Sequence, residues 1–153
     1  MGGTYDVAIR HPNRETAQSK ATKAAIVFLL LCSAGLIFII TFGGWSALQG
    51  AQIFAIAFAL IDVLSAYYVS RWNRGILPVS GALAVFVAVL AAIAAPAWFA
   101  RDKSGFHNPA LNPSLLGLLC IVLIPVSLLL LGFAMRGFNQ QWNIEVEEHH
   151  GES

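Results

Sequence analysis

Residues 24–42 read AAIVFLLLCSAGLIFIITF, an apolar run without a charged side chain. Similar runs follow at about residues 47–70, 78–100 and 114–135. A hydrocarbon core of about 30 Å takes about 20 helical residues, whereas a membrane β-strand needs only about 10. Only helices satisfy every backbone polar group of such long runs within lipid. The sequence therefore predicts an all-α polytopic membrane protein, built as a four-transmembrane-helix bundle.

The composition supports a membrane protein. The chain has 153 residues, of which 58% are hydrophobic and 11% charged, whereas a soluble domain has about 25% charged residues. A soluble fold of this size could not bury so much apolar surface. The net charge is +1 and no dense basic cluster is present, so we expect no nucleic-acid partner.

The polar segments divide the chain into three parts. Residues 1–23 are predicted to be a polar N-terminal tail, 24–135 the transmembrane domain and 136–153 a polar C-terminal tail. In the first tail, Pro12–Glu15 predicts a short helix with Asn13 as its cap. Gly43–Ser46 predicts a tight turn, and Asn112 followed by Pro113 predicts the start of the fourth span. After that span, Phe138 and Trp142 predict either an amphipathic extension at the inner interface or a segment that docks onto a partner.

The distribution of lysine and arginine predicts the orientation. The tails and the middle loop share one side, which carries seven of these residues: Arg10, Arg14, Lys20, Lys23, Arg71, Arg74 and Arg136. The opposite side carries Arg101 and Lys103. The positive-inside rule therefore predicts that both termini are cytoplasmic, and we expect a cell membrane of the bacterial type. Four tryptophans near the span ends are predicted to anchor the interfaces: Trp45, Trp72, Trp98 and Trp142.

Small residues predict where helices approach closely, because lipid provides little hydrophobic drive between helices. Alanines recur at four-residue spacing in spans two and three: Ala51, Ala55 and Ala59, and then Ala84, Ala88 and Ala92. This pattern predicts that spans two and three form the tightest pair. The alternative is that alanine is simply common in such helices.

One polar layer is predicted inside the membrane. Asp62 is the only ionisable residue within the four spans, about 13 Å from Arg71 along a helix. Ser33 and Ser127 lie at nearly the same predicted depth. A carboxylate there costs at least about 2.5–3.5 kcal/mol, so Asp62 should face the bundle interior and have a partner. It is either a structural hydrogen-bonding group, a proton or cation relay, or a contact for a lipid or quinone-like head group.

Other chemistry is not indicated by the sequence. None of His11, His107, His149 and His150 lies in a span, which argues against a bundle that ligates haem. A metal site at the acidic, histidine-containing C-terminal tail is less expected than a solvated tail. The sequence contains no phosphate-binding loop, zinc spacing or catalytic triad pattern. We therefore expect no catalytic residues, cofactor or metal.

These observations favour a non-catalytic accessory or assembly subunit that packs against other membrane proteins. The alternative is an oligomeric carrier or channel component for a small solute, ion or proton, in which Asp62 of several copies forms a shared site. A membrane enzyme acting on lipid is a third hypothesis. The expected partners are membrane lipids together with other membrane subunits or further copies of this chain.

Overall fold

A computed structural model describes residues 6–103 and 110–150, except for the side chains of residues 6–8, 103 and 148–150. The elements in chain order are β1 (Asp6–Arg10), α1 (Pro12–Glu15), α2 (Ala17–Gly43), a 3-10 turn (Trp45–Ala47), α3 (Gln52–Ser70), α4 (Ile76–Lys103), α5 (Pro113–Asn139) and β2 (Val146–His150). The four helices α2 to α5 are each long and apolar enough to cross a membrane. This confirms the predicted four-helix architecture at the level of fold.

The four long helices pack in sequence order, each against the next, and α5 returns to pack against α2. The most extensive contact is between α4 and α5, followed by α2 with α3 and α2 with α5. Contact between α3 and α4 is the sparsest of these four pairs. The prediction that spans two and three form the tightest pair is therefore wrong. Close approach occurs instead at the α4–α5 seam, where a Cβ on Gly117 would lie 3.0 Å from the Phe99 ring.

Local capping explains where the helices begin. α2 starts at Ala17, before the predicted residue 24, because the Thr16 side chain accepts a hydrogen bond from the Ser19 amide. The prediction for α5 is confirmed: the Asn112 side chain accepts from the Ser114 amide at 2.8 Å, and Pro113 occupies the first turn. The predicted cap of α1 is wrong, since His11 occupies that position and Asn13 lies inside the helix.

The turn between α2 and α3 is longer than predicted. α2 ends at Gly43, and the 3-10 turn then precedes Gln49 and Gly50, which have φ angles of 50° and 96°. These left-handed conformations reverse the chain, so α3 begins at Gln52 instead of residue 47. The two helices are nonetheless neighbours, as the tight-turn prediction required.

The buried core separates into two apolar clusters along the bundle. The outer cluster, far from the tails, includes Ala34, Ala59 and Leu123. The inner cluster, near the tails, includes Leu30, Ala66 and Leu130. On α2, α3 and α5 the residues that fall between the two clusters include Ser33, Asp62 and Ser127, and all three are buried. A polar level thus divides the apolar core.

The two tails form an ordered structure that the sequence did not predict. β1 pairs with β2 in an antiparallel ribbon, with Ile9 opposite Glu147 and Arg10 opposite Val146. The ribbon brings both tails to the same end of the bundle. The predicted amphipathic extension is wrong, because α5 ends at Asn139 and Gln141 has a φ angle of 53°, which turns the chain away from the helix axis.

Candidate functional site: a buried carboxyl group and a cap built by the tails

The first candidate site is the polar level at Asp62. The Asp62 residue is 3% exposed, and the Ser33 hydroxyl on the neighbouring α2 is close enough to its carboxyl group to donate a hydrogen bond. α3 positions Asp62 one turn from Ala59 and one turn from Ala66, whose small side chains belong to the clusters on either side. The structure therefore brings together two of the three residues of the predicted layer.

Hydrogen bonding at this level is incomplete within the described part of the chain. Asp62 Oδ2 and Ser127 Oγ are both buried there and neither has a hydrogen-bond partner. Ser127 consequently lies at the predicted level without joining the Ser33–Asp62 pair. A buried polar atom without a partner is costly and uncommon in native structures. Asp62 Oδ2 can therefore accept a hydrogen bond or a proton, and Ser127 Oγ can donate or accept a hydrogen bond.

The surroundings of Asp62 limit what it can do within one protomer. The clusters on both sides are apolar, and they include Ala34 and Ile37 outward and Leu29 and Leu30 inward on α2. Conduction of an ion or proton needs a chain of polar or wet groups. The described core also buries the hydroxyl groups of Thr41, Ser65 and Ser80, but Asp62 is the only carboxyl group among its buried side chains. This arrangement suits a local contact better than a path across one bundle.

The second candidate site is a cap at the tail end of the bundle, formed by the tails and the α3–α4 connection. Its centre is Trp142, which is fully buried and packs edge-on against Trp72 with ring centroids 5.0 Å apart. Trp142 Nε1 donates to Gln140 Oε1 at 3.1 Å, and Gln140 Nε2 donates to Thr22 Oγ1 at 3.0 Å. The C-terminal tail is thereby attached to α2.

Side chains of α1 attach the N-terminal tail to the same cap. Arg14 Nε donates to the Trp142 carbonyl at 2.8 Å, and Asn13 Nδ2 donates to the Gln141 carbonyl at 2.9 Å. Arg10 forms an ion pair with Glu15, and this hydrogen bond lowers the pKa of Glu15. The stabilisation by this ion pair is therefore present at neutral pH and is lost as the pH falls below the ordinary carboxyl range.

Cations at this end lie against aromatic rings. Lys23 Nζ is 4.3 Å from the centre of the Trp72 ring and donates to the Ser70 carbonyl at 3.5 Å. The Arg74 guanidinium is 3.7 Å from the centre of the Phe138 ring, and its Nε donates to the Phe138 carbonyl at 2.8 Å. Cation–aromatic contacts of this kind stabilise basic side chains near a membrane interface. The sequence did not predict the cap, although the polar and aromatic run at 139–143 was a signal for it.

The predicted interface tryptophans occupy different environments. Trp45 is exposed and stacks on Phe42, and Trp72 is half-buried in the cap. Trp98 is buried against Gly44 and is in hydrogen-bonding range of Cys120, and Trp142 is buried as described. Trp98 and Trp142 thus pack inside the protein, and their place at a membrane interface stays a prediction.

The predicted alanine ridges are partly buried. Ala59, Ala84 and Ala88 are buried, Ala55 is half-buried, and Ala51 and Ala92 are exposed. The buried alanines of α4 continue as Ala91 and Ala95. The helix that carries this second alanine series, α4, packs mainly on α5 and little on α3.

Metal-ligating side chains are scattered over the structure. In the described part of the chain, no three His, Cys, Asp or Glu residues are close enough together to hold a metal ion. The side chains of His107, His149 and His150 lie outside the described residues. His11 interacts with Glu145 at 3.3 Å.

Comparisons with protein-family models, curated proteins and solved structures found no match to this chain.

Proposed function

We propose that this chain is a non-catalytic accessory or assembly subunit of a membrane, which packs against other membrane proteins. The observation that carries the proposal is the sparse contact between α3 and α4. In α3 only 28% of the residues in the apolar window are buried, the lowest share of the four spans. We call the α3–α4 side of the bundle the open side, and in this proposal a helix of a partner protein packs there.

The polar level provides a second argument for a partner. Asp62 belongs to α3, which borders the open side, and its Oδ2 atom has no hydrogen-bond partner among the described residues. Asp62 is 3% exposed in the isolated protomer, so a donor on a partner helix would satisfy this oxygen only after α3 shifts on assembly to uncover it. Interhelical hydrogen bonds in membranes contribute about 0.6 kcal/mol on average. Asp62 is then a contact that specifies assembly, and the ordered cap is a second surface for the partner outside the membrane.

The orientation in this proposal is based on the positive-inside rule. The end of the bundle at the cap carries most of the lysine and arginine residues, so in this proposal both tails lie in the cytoplasm. The proposed membrane is a bacterial-type cell membrane. In this arrangement a cytoplasmic partner has access to the β1–β2 ribbon.

The experiment that tests the proposal is extraction of the tagged chain from its native membrane in a mild detergent. Native mass measurement and identification of co-purifying chains then give the composition of the complex. We expect a stoichiometric foreign membrane protein, and a weaker complex for Asp62→Asn. The matched control is Ser127→Ala, which changes a buried polar group at the same level on α5 and should leave the complex intact.

The alternative function is an oligomeric carrier or channel component. The observation in its favour is the same oxygen, because a shift of α3 that uncovers Asp62 Oδ2 in several copies would bring these oxygens around a shared proton or cation site. This alternative predicts a homo-oligomer without foreign chains. It also predicts that Asp62→Asn abolishes flux in proteoliposomes while the oligomer persists. A lone protomer without flux would exclude both functions.

A further inference from the structure

A groove runs along the α4–α5 seam near the cap, and its lining does not include Asp62 or the other residues of the polar level. Its volume is about 260 Å³. The groove exists because small residues, Gly81 and Ala134, are buried at its floor, while Ala82 and Met135 are exposed at its sides. Its lining is almost entirely apolar, and Asn139 at the end of α5 provides an amide. Such a volume is below the range of about 300–1,000 Å³ for a drug-sized ligand, so it suits part of an elongated apolar molecule.

A cation lies at the cap end of this groove. Phe138 lines the groove, and the Arg74 guanidinium rests on that same ring. Arg74 Nε is occupied by the Phe138 carbonyl, which fixes the direction of the side chain. In the described structure the terminal guanidinium nitrogens form no ion pair with an acidic group, whereas Glu15 and Glu145 at this end interact with Arg10 and His11.

We propose that this groove binds one acyl chain of an anionic phospholipid from the leaflet on the tail side. The lipid phosphate lies on the terminal nitrogens of Arg74, and the acyl chain extends along Gly81 and Ala82 toward the middle of the membrane. Charge complementarity selects an anionic lipid, because Lys20 and Lys23 add positive charge at the same end. This site is independent of the proposed assembly function, since it uses the α4–α5 seam and not the open side.

The test is lipid titration of the full-length chain in detergent, with bound lipid counted by native mass spectrometry. Phosphatidylglycerol and phosphatidylcholine with the same acyl chains are compared. We expect one phosphatidylglycerol to bind about tenfold more tightly than phosphatidylcholine. Arg74→Gln should weaken phosphatidylglycerol binding about tenfold, the loss typical of one charge-assisted hydrogen bond. The control Arg71→Gln removes an exposed cation three residues earlier and should change the affinity less than about twofold.

A second pair of variants tests the groove without touching Arg74. Ala82→Phe fills the groove from an exposed position and should weaken binding of both lipids, whereas Ala92→Phe, also exposed on α4 but outside the groove, should not. Equal binding of the two lipids overturns the proposal. So does an equal effect of the two arginine variants, or unchanged binding in Ala82→Phe. Because Ala82→Phe leaves the Arg74 contacts in place, the test holds even where Arg74→Gln disturbs the fold.

Discussion

Replacement of Trp142 by alanine tests whether the tails form a packed cap. Trp142 is the largest fully buried side chain among the described residues. It packs on Trp72, and its Cζ2 atom lies 3.2 Å from the position of a Cβ on Gly137. A Trp→Ala change in a packed core costs about 3–5 kcal/mol. A two-stranded ribbon alone is marginally stable. The free energy lost in Trp142→Ala should therefore exceed the free energy that holds β1 against β2.

The assay is amide hydrogen exchange measured by mass spectrometry on peptides that cover residues 6–16 and 141–150. We expect Trp142→Ala to reduce the protection of these peptides against exchange by about a hundredfold or more, which corresponds to a loss of about 3 kcal/mol. Trp142→Phe keeps an aromatic ring and should retain most of the protection. Trp45→Ala, at the other end of the bundle, should have no effect on the tails. Unchanged exchange in Trp142→Ala would contradict this prediction, because it would show that the ribbon is stable without the packed cap.

Two pairs of matched variants test the packing inside the membrane by unfolding in mixed detergent micelles. Ser33→Ala removes the described hydrogen-bond donor to Asp62 and should destabilise the bundle by about 0.6 kcal/mol, with an upper bound of about 1.7 kcal/mol. Ser127→Ala removes a hydroxyl that has no hydrogen-bond partner among the described residues, so it should be neutral or stabilising. A larger loss of stability for Ser127→Ala than for Ser33→Ala contradicts the assignment. Gly117→Ala should cost about 1–3 kcal/mol because its Cβ would crowd Phe99. Gly132→Ala should stabilise α5 by up to about 1 kcal/mol, because no atom lies within 4 Å of the added Cβ. Equal effects of the two glycine variants on stability would argue against close packing at Gly117.

The four long helices could be predicted because the signal for each is local. The lengths of the apolar runs, the breaks between them and the Asn112–Pro113 start of α5 are all visible in the sequence. The shared level of Asp62 and Ser33 could also be predicted, since a regular rise per residue on α3 and α2 places the two side chains near each other. Features that depend only on helix geometry and composition were therefore accessible from the sequence.

The pairing of helices and tails was not accessible in the same way. Alanine spacing indicates a surface that permits close approach but not which helix will approach it, and α4 packs mainly on α5. The cap depends on contacts between residues more than a hundred positions apart, such as Arg14 with the Trp142 carbonyl. No periodic pattern in a short polar tail predicts such contacts. Trp142 was expected at a lipid interface because an aromatic residue after a span suits both that interface and a buried cap.

Photo-crosslinking in intact native membranes tests whether a foreign membrane protein packs on the open side. A photoreactive amino acid is placed at exposed positions of the two bordering helices, Phe54 and Leu60 on α3 and Ile93 on α4. The control is exposed Phe28 on α2, a helix that packs against neighbours on both sides. We expect that the photoreactive residues on both α3 and α4 capture the same foreign membrane protein, while the one at position 28 captures lipid. Capture of lipid alone, or of a second copy of this chain, from all of these positions would contradict it.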